Sequence, residues 1–258
     1  MITSASNQQV KHVIQLQKKG KLRRETDCFI VEGKKMAAEA AAEKVRRVYM
    51  SASYEEKYGL PEHLQGVPWE TVADSVFAKM SDTQTPQGIL CEMERYHYQT
   101  EDLLKKENPL LLLLENLQDP GNVGTIFRTA EGAGVDGIIL TEGSVDIYHP
   151  KTIRSTMGSI YRMPFMYTDQ PKEILSQLQE HGIIAAAAHL AGSKSYDKED
   201  YRGGTIFLIG NEGNGLSEEL SRAAGKLIRI PMEGQLESLN AAVAAALLMY
   251  EAHRQRSI

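Results

Sequence analysis

Three short stretches in the C-terminal half of the chain hold residue types whose spacing suits chemistry. The first, Glu115-Asn116-Leu117-Gln118-Asp119-Pro120-Gly121-Asn122, follows an apolar run, turns through Asp-Pro-Gly-Asn and opens a helix. On that helix Val123, Ile126, Phe127 and Ala130 have the spacing of a buried face, which points Arg128 the other way, beside Thr125. An arginine there is well placed to hold a phosphate or an oxyanion, though spacing alone favours a solvated arginine. The second stretch, Ile209-Gly210-Asn211-Glu212-Gly213-Asn214-Gly215-Leu216-Ser217, sets three glycines after an apolar strand, where a Cβ would block close approaches. Glu218 and Glu219 open the helix that follows and would repel a phosphate, so this loop favours a ligand held by its base or by a positive centre. The third stretch is Ile230-Pro231-Met232, then Gly234, then Ser238-Leu239-Asn240 at the start of the last helix, with Ser238 a candidate N-cap.

Other chemistries fail on spacing. Gly132-Ala133-Gly134-Val135-Asp136-Gly137 matches GxGxxG but lies after a helix and before a strand, the reverse of a dinucleotide-binding loop. A dinucleotide-dependent oxidoreductase would need its glycines after Leu114, and they are missing there. No GxxxxGK[ST] or GxSxG motif occurs, and the histidines do not cluster. The two cysteines, Cys28 and Cys91, stand far apart without ligand spacing, so they read as reduced, buried thiols and no metal is expected.

These motifs need strands and helices to position them. Apolar strand candidates lie at residues 110–114, 137–140, 183–187, 205–209 and 227–230. Helical patterns fall between and after them, at 123–132, 172–179, 217–224 and 239–253. Short, fully apolar strands alternating with helices mean a parallel sheet covered on both faces, with ligands at the carboxyl ends of its strands. The last helix is apolar on nearly all sides, which predicts burial in the core or against another subunit. The first part reads as a smaller α/β domain. Its helices are an amphipathic one carrying Val10, Val13 and Ile14 and two more at 34–43 and 73–80; its strands lie at 28–31, 45–50, 71–72 and 88–93. A polar, charged stretch separates the two, giving a first domain at 1–100, a linker at 101–108 and a second domain at 109–258.

The formal net charge is −5 over 258 residues, which argues against a nucleic-acid partner only if the charge is evenly spread. Through Arg24 the chain carries Lys11, Lys18, Lys19, Lys21, Arg23 and Arg24 and no acid. Such a segment can engage phosphates because screening over roughly 8–10 Å makes local charge outweigh the total. No apolar run approaches the roughly 20 residues of a membrane span, and no signal pattern opens the chain, so a cytoplasmic protein without a membrane partner is expected.

Taken together, the three motifs resemble those of the SpoU/TrmH family (SPOUT superfamily) of S-adenosylmethionine-dependent RNA ribose methyltransferases, over residues 110–253. Asp119-Pro120-Gly121-Asn122-Val123-Gly124 with Arg128-Thr129-Ala130 is similar to its first motif, residues 210–215 to its second, and Ile230-Pro231-Met232 with Ser238-Leu239-Asn240 to its third. Phe29-Ile30-Val31-Glu32-Gly33 and residues 81–88 resemble the ribosomal-protein-like substrate-binding domain of many members. The resemblance implies an α/β fold with a deep trefoil knot, a homodimer, and methyl transfer to a ribose 2′-hydroxyl. Ribosomal RNA is favoured as substrate, a transfer RNA methyltransferase or a non-catalytic RNA-binding protein being the alternatives. It implies catalytic roles for Arg128 and Asn122, and a cofactor site at Gly210, Glu212, Ile230, Met232, Ser238, Leu239 and Asn240. RNA contacts are expected from Lys11, Lys18, Lys19, Arg23, Arg24 and Arg154.

Overall fold

The computed structural model describes residues 1–189, 194–235 and 238–257. From the N-terminus come α1 Gln8–Lys18, α2 Gly20–Thr26, β1 Cys28–Glu32, α3 Lys34–Glu39, β2 Val45–Ser51, α4 Ala52–Tyr58, β3 Trp69–Val72, α5 Asp74–Met80 and β4 Ile89–Glu94. Next are α6 Thr100–Leu103, β5 Leu110–Leu114, α7 Pro120–Ala133, β6 Gly137–Thr141, α8 Pro150–Thr156, β7 Phe165–Thr168 and α9 Pro171–Glu180. The chain continues through β8 Ile184–Ala188, β9 Lys194–Ser195, β10 Thr205–Ile209, α10 Glu218–Ala223, β11 Lys226–Arg229 and α11 Ala241–Arg256. These elements form two units, Met1–Tyr96 with Asp146–Tyr161, and His97–Val145 with Arg162–Ile258.

The first unit holds a four-stranded sheet ordered β1-β4-β2-β3, in which β4 is antiparallel to β1 and β2 while β3 is parallel to β2. Helix α1 starts at Asn7, whose side chain accepts from the Gln9 amide at 2.8 Å. One stripe of α1, Val10, Val13 and Leu16, is fully buried in a core with Ile30, Tyr49, Phe77 and Leu90. Burying each such side chain stabilises by about 1.5–3 kcal/mol, enough to anchor a helix whose other faces carry lysines. Cys28 and Cys91 are free and buried, and desolvation pushes each thiol up to about 12, so neither is a nucleophile at neutral pH.

A break confined to residues 101–108 would put Asp146–Tyr161 in the C-terminal domain, but the segment packs with the first unit. Two tyrosines hold it there. The Tyr148 ring lies 4.5 Å from that of Phe29, and its hydroxyl donates to the Tyr96 carbonyl at 3.0 Å while accepting from the Tyr96 amide at 2.7 Å. The Tyr161 hydroxyl donates to the Met36 carbonyl at 2.9 Å. The stretch expected as a linker also departs from that description, because α6 enters it and Leu103 is buried in the core of the second unit.

In the second unit seven strands run β7-β6-β5-β10-β8-β11-β9, every neighbouring pair parallel. The five expected strands are present, and β7 and β9 add one at each edge. Neither edge strand has a long apolar run: β9 is two polar residues, and β7 offers only Phe165-Met166-Tyr167, of which Met166 and Tyr167 are half-buried. Alternate residues Leu111, Leu113, Ile139, Ala185, Ala187, Ile206 and Leu208 share one face, packed by Leu175 and Leu178 of α9 and Leu220 of α10. Helix α11 packs on α7 and β10. It buries Ala241, Ala242, Ala245, Leu248, Met249 and Ala252 and leaves Val243, Leu247 and Tyr250 exposed.

Candidate functional site

Because the sheet is wholly parallel, the loops after β5, β8, β10 and β11 leave it at one edge. Gly210 begins the loop after β10, and a Cβ there would lie 2.1 Å from the Gly215 carbonyl carbon and the Leu216 nitrogen. Only glycine lets this loop fold back on itself. The Asn211 and Gly215 amides donate to one another's carbonyls at 3.0 and 2.9 Å, closing it. The Asn211 side-chain oxygen accepts from the Gly213 and Asn214 amides at 2.9 and 3.1 Å. Both ends of the loop are tied to the end of β5. Asn211 Nδ2 donates to the Asn116 carbonyl at 2.7 Å, and the buried Glu115 carboxylate accepts from the Ser217 amide at 2.6 Å.

Asn116 itself stands in the left-handed region, at φ 53°. Its amide donates to Thr141 Oγ1 at 2.9 Å, and the Thr141 hydroxyl donates back to Asn116 Oδ1 at 3.0 Å. Glu115, Asn116, Thr141 and Asn211 hold the loops in place without being among the expected site residues. The available signal was a Glu-Asn pair directly after an all-apolar strand, where a buried carboxylate and an αL asparagine both demand explanation.

One side chain from each of the three motifs meets the others. Asp119 caps α7 by accepting from the Asn122 amide at 2.7 Å, which fixes Asn122 in the first turn. Asn122 Nδ2 donates to Glu212 Oε1 at 3.1 Å, and Asn122 Oδ1 accepts from Asn240 Nδ2 at 2.9 Å. An amide is required at 122, since a carboxylate would repel Glu212 and a lysine could not accept from Asn240. Glu212 also faces the Gln118 and Asp119 amides at 3.5 and 3.4 Å, a carboxylate at the positive end of α7. Asn240 caps α11 through the Ala242 amide at 2.9 Å; the cap expected at Ser238 is Asn240, because its oxygen lies within reach of the first free amides.

Beside this junction lies a cavity of about 770 Å³, lined by Gly210, Glu212, Ile230, Met232, Ser238 and Leu239 of the expected site and by the backbone of the glycine loop. Ile209, Ala241 and Ala244 complete its apolar wall, and His189, Arg229 and Glu233 also line it. Asn122 and Asn240 line instead a groove between α7 and α11. Arg128 is exposed on α7, roughly 9 Å along the axis from Asn122, with no hydrogen bond or ion pair to another described residue.

The expected RNA-binding cations separate into two groups. Lys11, Lys18, Lys19 and Arg24 are exposed. Arg23, expected at the RNA, is instead turned inward. It is 3% exposed, donates to Asp146 Oδ2 at 2.9 and 2.7 Å and to the Leu16 and Gln17 carbonyls at 2.6 and 3.0 Å, and so serves as a buried strut. Burial costs a guanidinium several kcal/mol unless it is well paired, and every nitrogen of this one donates a hydrogen bond. Arg154, on α8, is half-exposed and paired with Asp82 at 2.8 Å.

Residues 109–250 match the model of the SpoU rRNA methylase family, and residues 7–91 match that of the MRM3-like substrate binding domain. The chain is 32% identical over 250 residues to the 23S rRNA (guanosine(2553)-2′-O)-methyltransferase RlmP of Bacillus subtilis, covering 96% of this chain and 97% of that one. An AdoMet-bound rRNA methyltransferase from Sinorhizobium meliloti superimposes with a TM-score of 0.88 at 33% identity, over 98% of this chain and 97% of that one. The SpoU methyltransferase AviRb from Streptomyces viridochromogenes, in complex with AdoMet, also superimposes with a TM-score of 0.88, at 26% identity over 97% of this chain and 98% of that one.

Proposed function

The chain belongs to the SpoU rRNA methylase family, and on that premise we propose that it transfers a methyl group from S-adenosylmethionine to a ribose 2′-hydroxyl of ribosomal RNA. The cavity formed by the loops after β10 and β11, at the carboxyl edge of the sheet, carries this reading. Its residues fit the cofactor: Ile230, Leu239 and Ala241 offer an apolar wall for a purine, and the loop from Gly210 presents backbone groups at close range.

When bound, S-adenosylmethionine supplies an activated sulfonium methyl. The protein must then orient an RNA hydroxyl and make it nucleophilic. Asn122, held between Glu212 and Asn240, sets the start of α7 against both cofactor loops and so positions Arg128. Arg128 acts through the charge of its guanidinium, lowering the pKa of the 2′-hydroxyl while an RNA phosphate accepts the proton. Lys11, Lys18, Lys19 and Arg24 add a field for the RNA backbone. Incubation with tritiated S-adenosylmethionine and, in parallel, unmodified 23S rRNA or unmodified transfer RNA should label the rRNA at a 2′-oxygen. Label confined to transfer RNA, or absent from both, overturns this reading.

Three further features belong to the proposal. A second copy of the chain covers the groove of α7 and α11, where Val243 and Tyr250 are 48% and 49% exposed in an apolar patch beside the site. Light scattering should then report a dimer that Val243→Glu with Leu247→Glu converts to a monomer, and a monomeric parent protein would refute it. The C-terminal segment is threaded as a trefoil knot, a reading supported by the return of α11 onto β10 and α7 after edge-side β11. A crystal structure tracing residues 226–257 tests it. The protein works in the cytoplasm, a reading supported by its likeness to an rRNA methyltransferase of Bacillus subtilis, and fractionation of cells checks that.

A further inference from the structure

Around the sheet of the first unit several cations are neutralised at short range. Lys21, Lys35, Lys44, Arg46, Arg47 and Arg154 each pair with a carboxylate. Lys34 and Lys57 do not. Both converge on the exposed Tyr58 ring, at the end of α4, where their ammonium nitrogens stand 3.4 and 5.2 Å from its centroid. Tyr58 is 51% exposed although its ring lies 5.1 Å from that of Tyr54, which is buried and anchors it. Together the two lysines draw the Tyr58 hydroxyl below the ordinary phenol range. The position of Lys34 is built rather than incidental. Its amide donates to Gln87 Oε1 at 3.0 Å, and Gly33 before it takes φ 106° with that oxygen 3.0 Å from where a Cβ would stand. Residues 84–87 beside it are all exposed and uncharged.

We propose that Tyr58, Lys34 and Lys57 form a clamp for one unpaired nucleotide of the RNA substrate, the base stacking on Tyr58 and the lysines taking the adjoining phosphates. An exposed lysine on a tyrosine face is held more weakly than a stacked nucleobase, so a base displaces the Lys34 ammonium from the ring. The displaced ammonium has no carboxylate to return to and lies next to the nucleotide's own phosphate. An aromatic ring flanked by two cations is the combination that single-stranded RNA rewards, and a duplex, whose bases are already stacked, cannot use it. This inference rests on the RNA-methyltransferase reading but concerns a different unit of the molecule from the cofactor cavity.

The test uses the full chain and three probes: a fluorescein-labelled 12-nucleotide oligouridylate, a 12-base-pair RNA duplex and inorganic polyphosphate. Tyr58→Ala should weaken oligouridylate binding about tenfold, the loss of one stacked base, and Tyr58→Phe by less than about twofold. Duplex and polyphosphate binding should not change with either variant. Lys34→Ala with Lys57→Ala should lower the slope of log K against log salt by about 1.4 for the single strand. Thermal melting of each variant keeps misfolding apart from lost contact. Equal affinity of Tyr58→Ala and parent for oligouridylate overturns the clamp, as does Tyr58→Phe falling as far as Tyr58→Ala, or an equal loss with polyphosphate. If the parent chain bound none of the RNAs, the RNA-methyltransferase reading would fall and the clamp with it.

Discussion

The proposed cofactor edge of the second unit and the helical arm of the first use polar groups in opposite ways. At the cofactor edge, Asn122 joins Glu212 and Asn240, partners 90 and 118 residues away, through bonds of 3.1 and 2.9 Å. On the arm, Lys18, Lys19 and Arg24 follow one another within seven residues and stand in solvent. The first arrangement acts through geometry, so moving one atom matters. The second acts through summed charge, so any single residue counts for little and salt erodes all of them. Arg23 lies inside the arm by sequence but belongs with the first kind, since its four bonds to Asp146, Leu16 and Gln17 are geometric.

The sharpest way to break this contrast is at Arg128. Arg128→Ala should cut methyl transfer by roughly a hundred- to a thousandfold, the effect of losing one preorganised charge at the reacting oxygen. S-adenosylmethionine affinity, measured by calorimetry, should stay within about twofold. Near-normal turnover in that variant would remove Arg128 from catalysis.

Arg23 separates the two regimes within one helix pair. Arg23→Ala leaves Asp146 without its partner and should lower stability against urea by about 3 kcal/mol, whereas Lys18→Ala should stay within about 0.5 kcal/mol. A similar, small effect for both would mean that the Arg23 pair contributes nothing beyond a surface contact. The smallest effect per residue is expected on the arm. Replacing Lys18, Lys19 and Arg24 together by alanine should reduce the salt slope of RNA binding by about 2.7 on a duplex, at 0.9 per contact, with no change in cofactor affinity. An equal loss of RNA and cofactor binding would point to misfolding instead.

Much of the second unit was legible as pattern. Leu110–Leu114 and Thr205–Ile209 are strands with the bounds expected, because a strand buried on both faces is an uninterrupted apolar run. Helix α7 was visible from its turn residues and its buried stripe, though it starts earlier, at Pro120, where Asp119 caps it. The helix expected at residues 34–43 stops at Glu39, and α2, α4, α6, α8, β7 and β9 were not expected at all. These are short elements, ten residues or fewer, whose existence depends on neighbours more than on periodicity. The candidate site divides likewise. Gly210, Glu212, Ile230, Met232, Ser238 and Leu239 came from motifs and do line one cavity, while the supporting Glu115, Asn116 and Thr141 had no motif to announce them.

By itself, the sequence determined which residue types stand after each strand, where the glycines permit a loop to close, and that the first 24 residues carry cations and no acid. Those properties are local, set by backbone freedom, side-chain chemistry and spacing along the chain. Tertiary structure alone decided that Asp146–Tyr161 joins the first unit, that Arg23 turns inward while Arg24 stays in solvent, and that Asn122 bridges two loops more than 80 residues downstream. Each depends on a partner distant in sequence, and a buried charge or amide takes its role from the groups that satisfy it, which no local pattern contains.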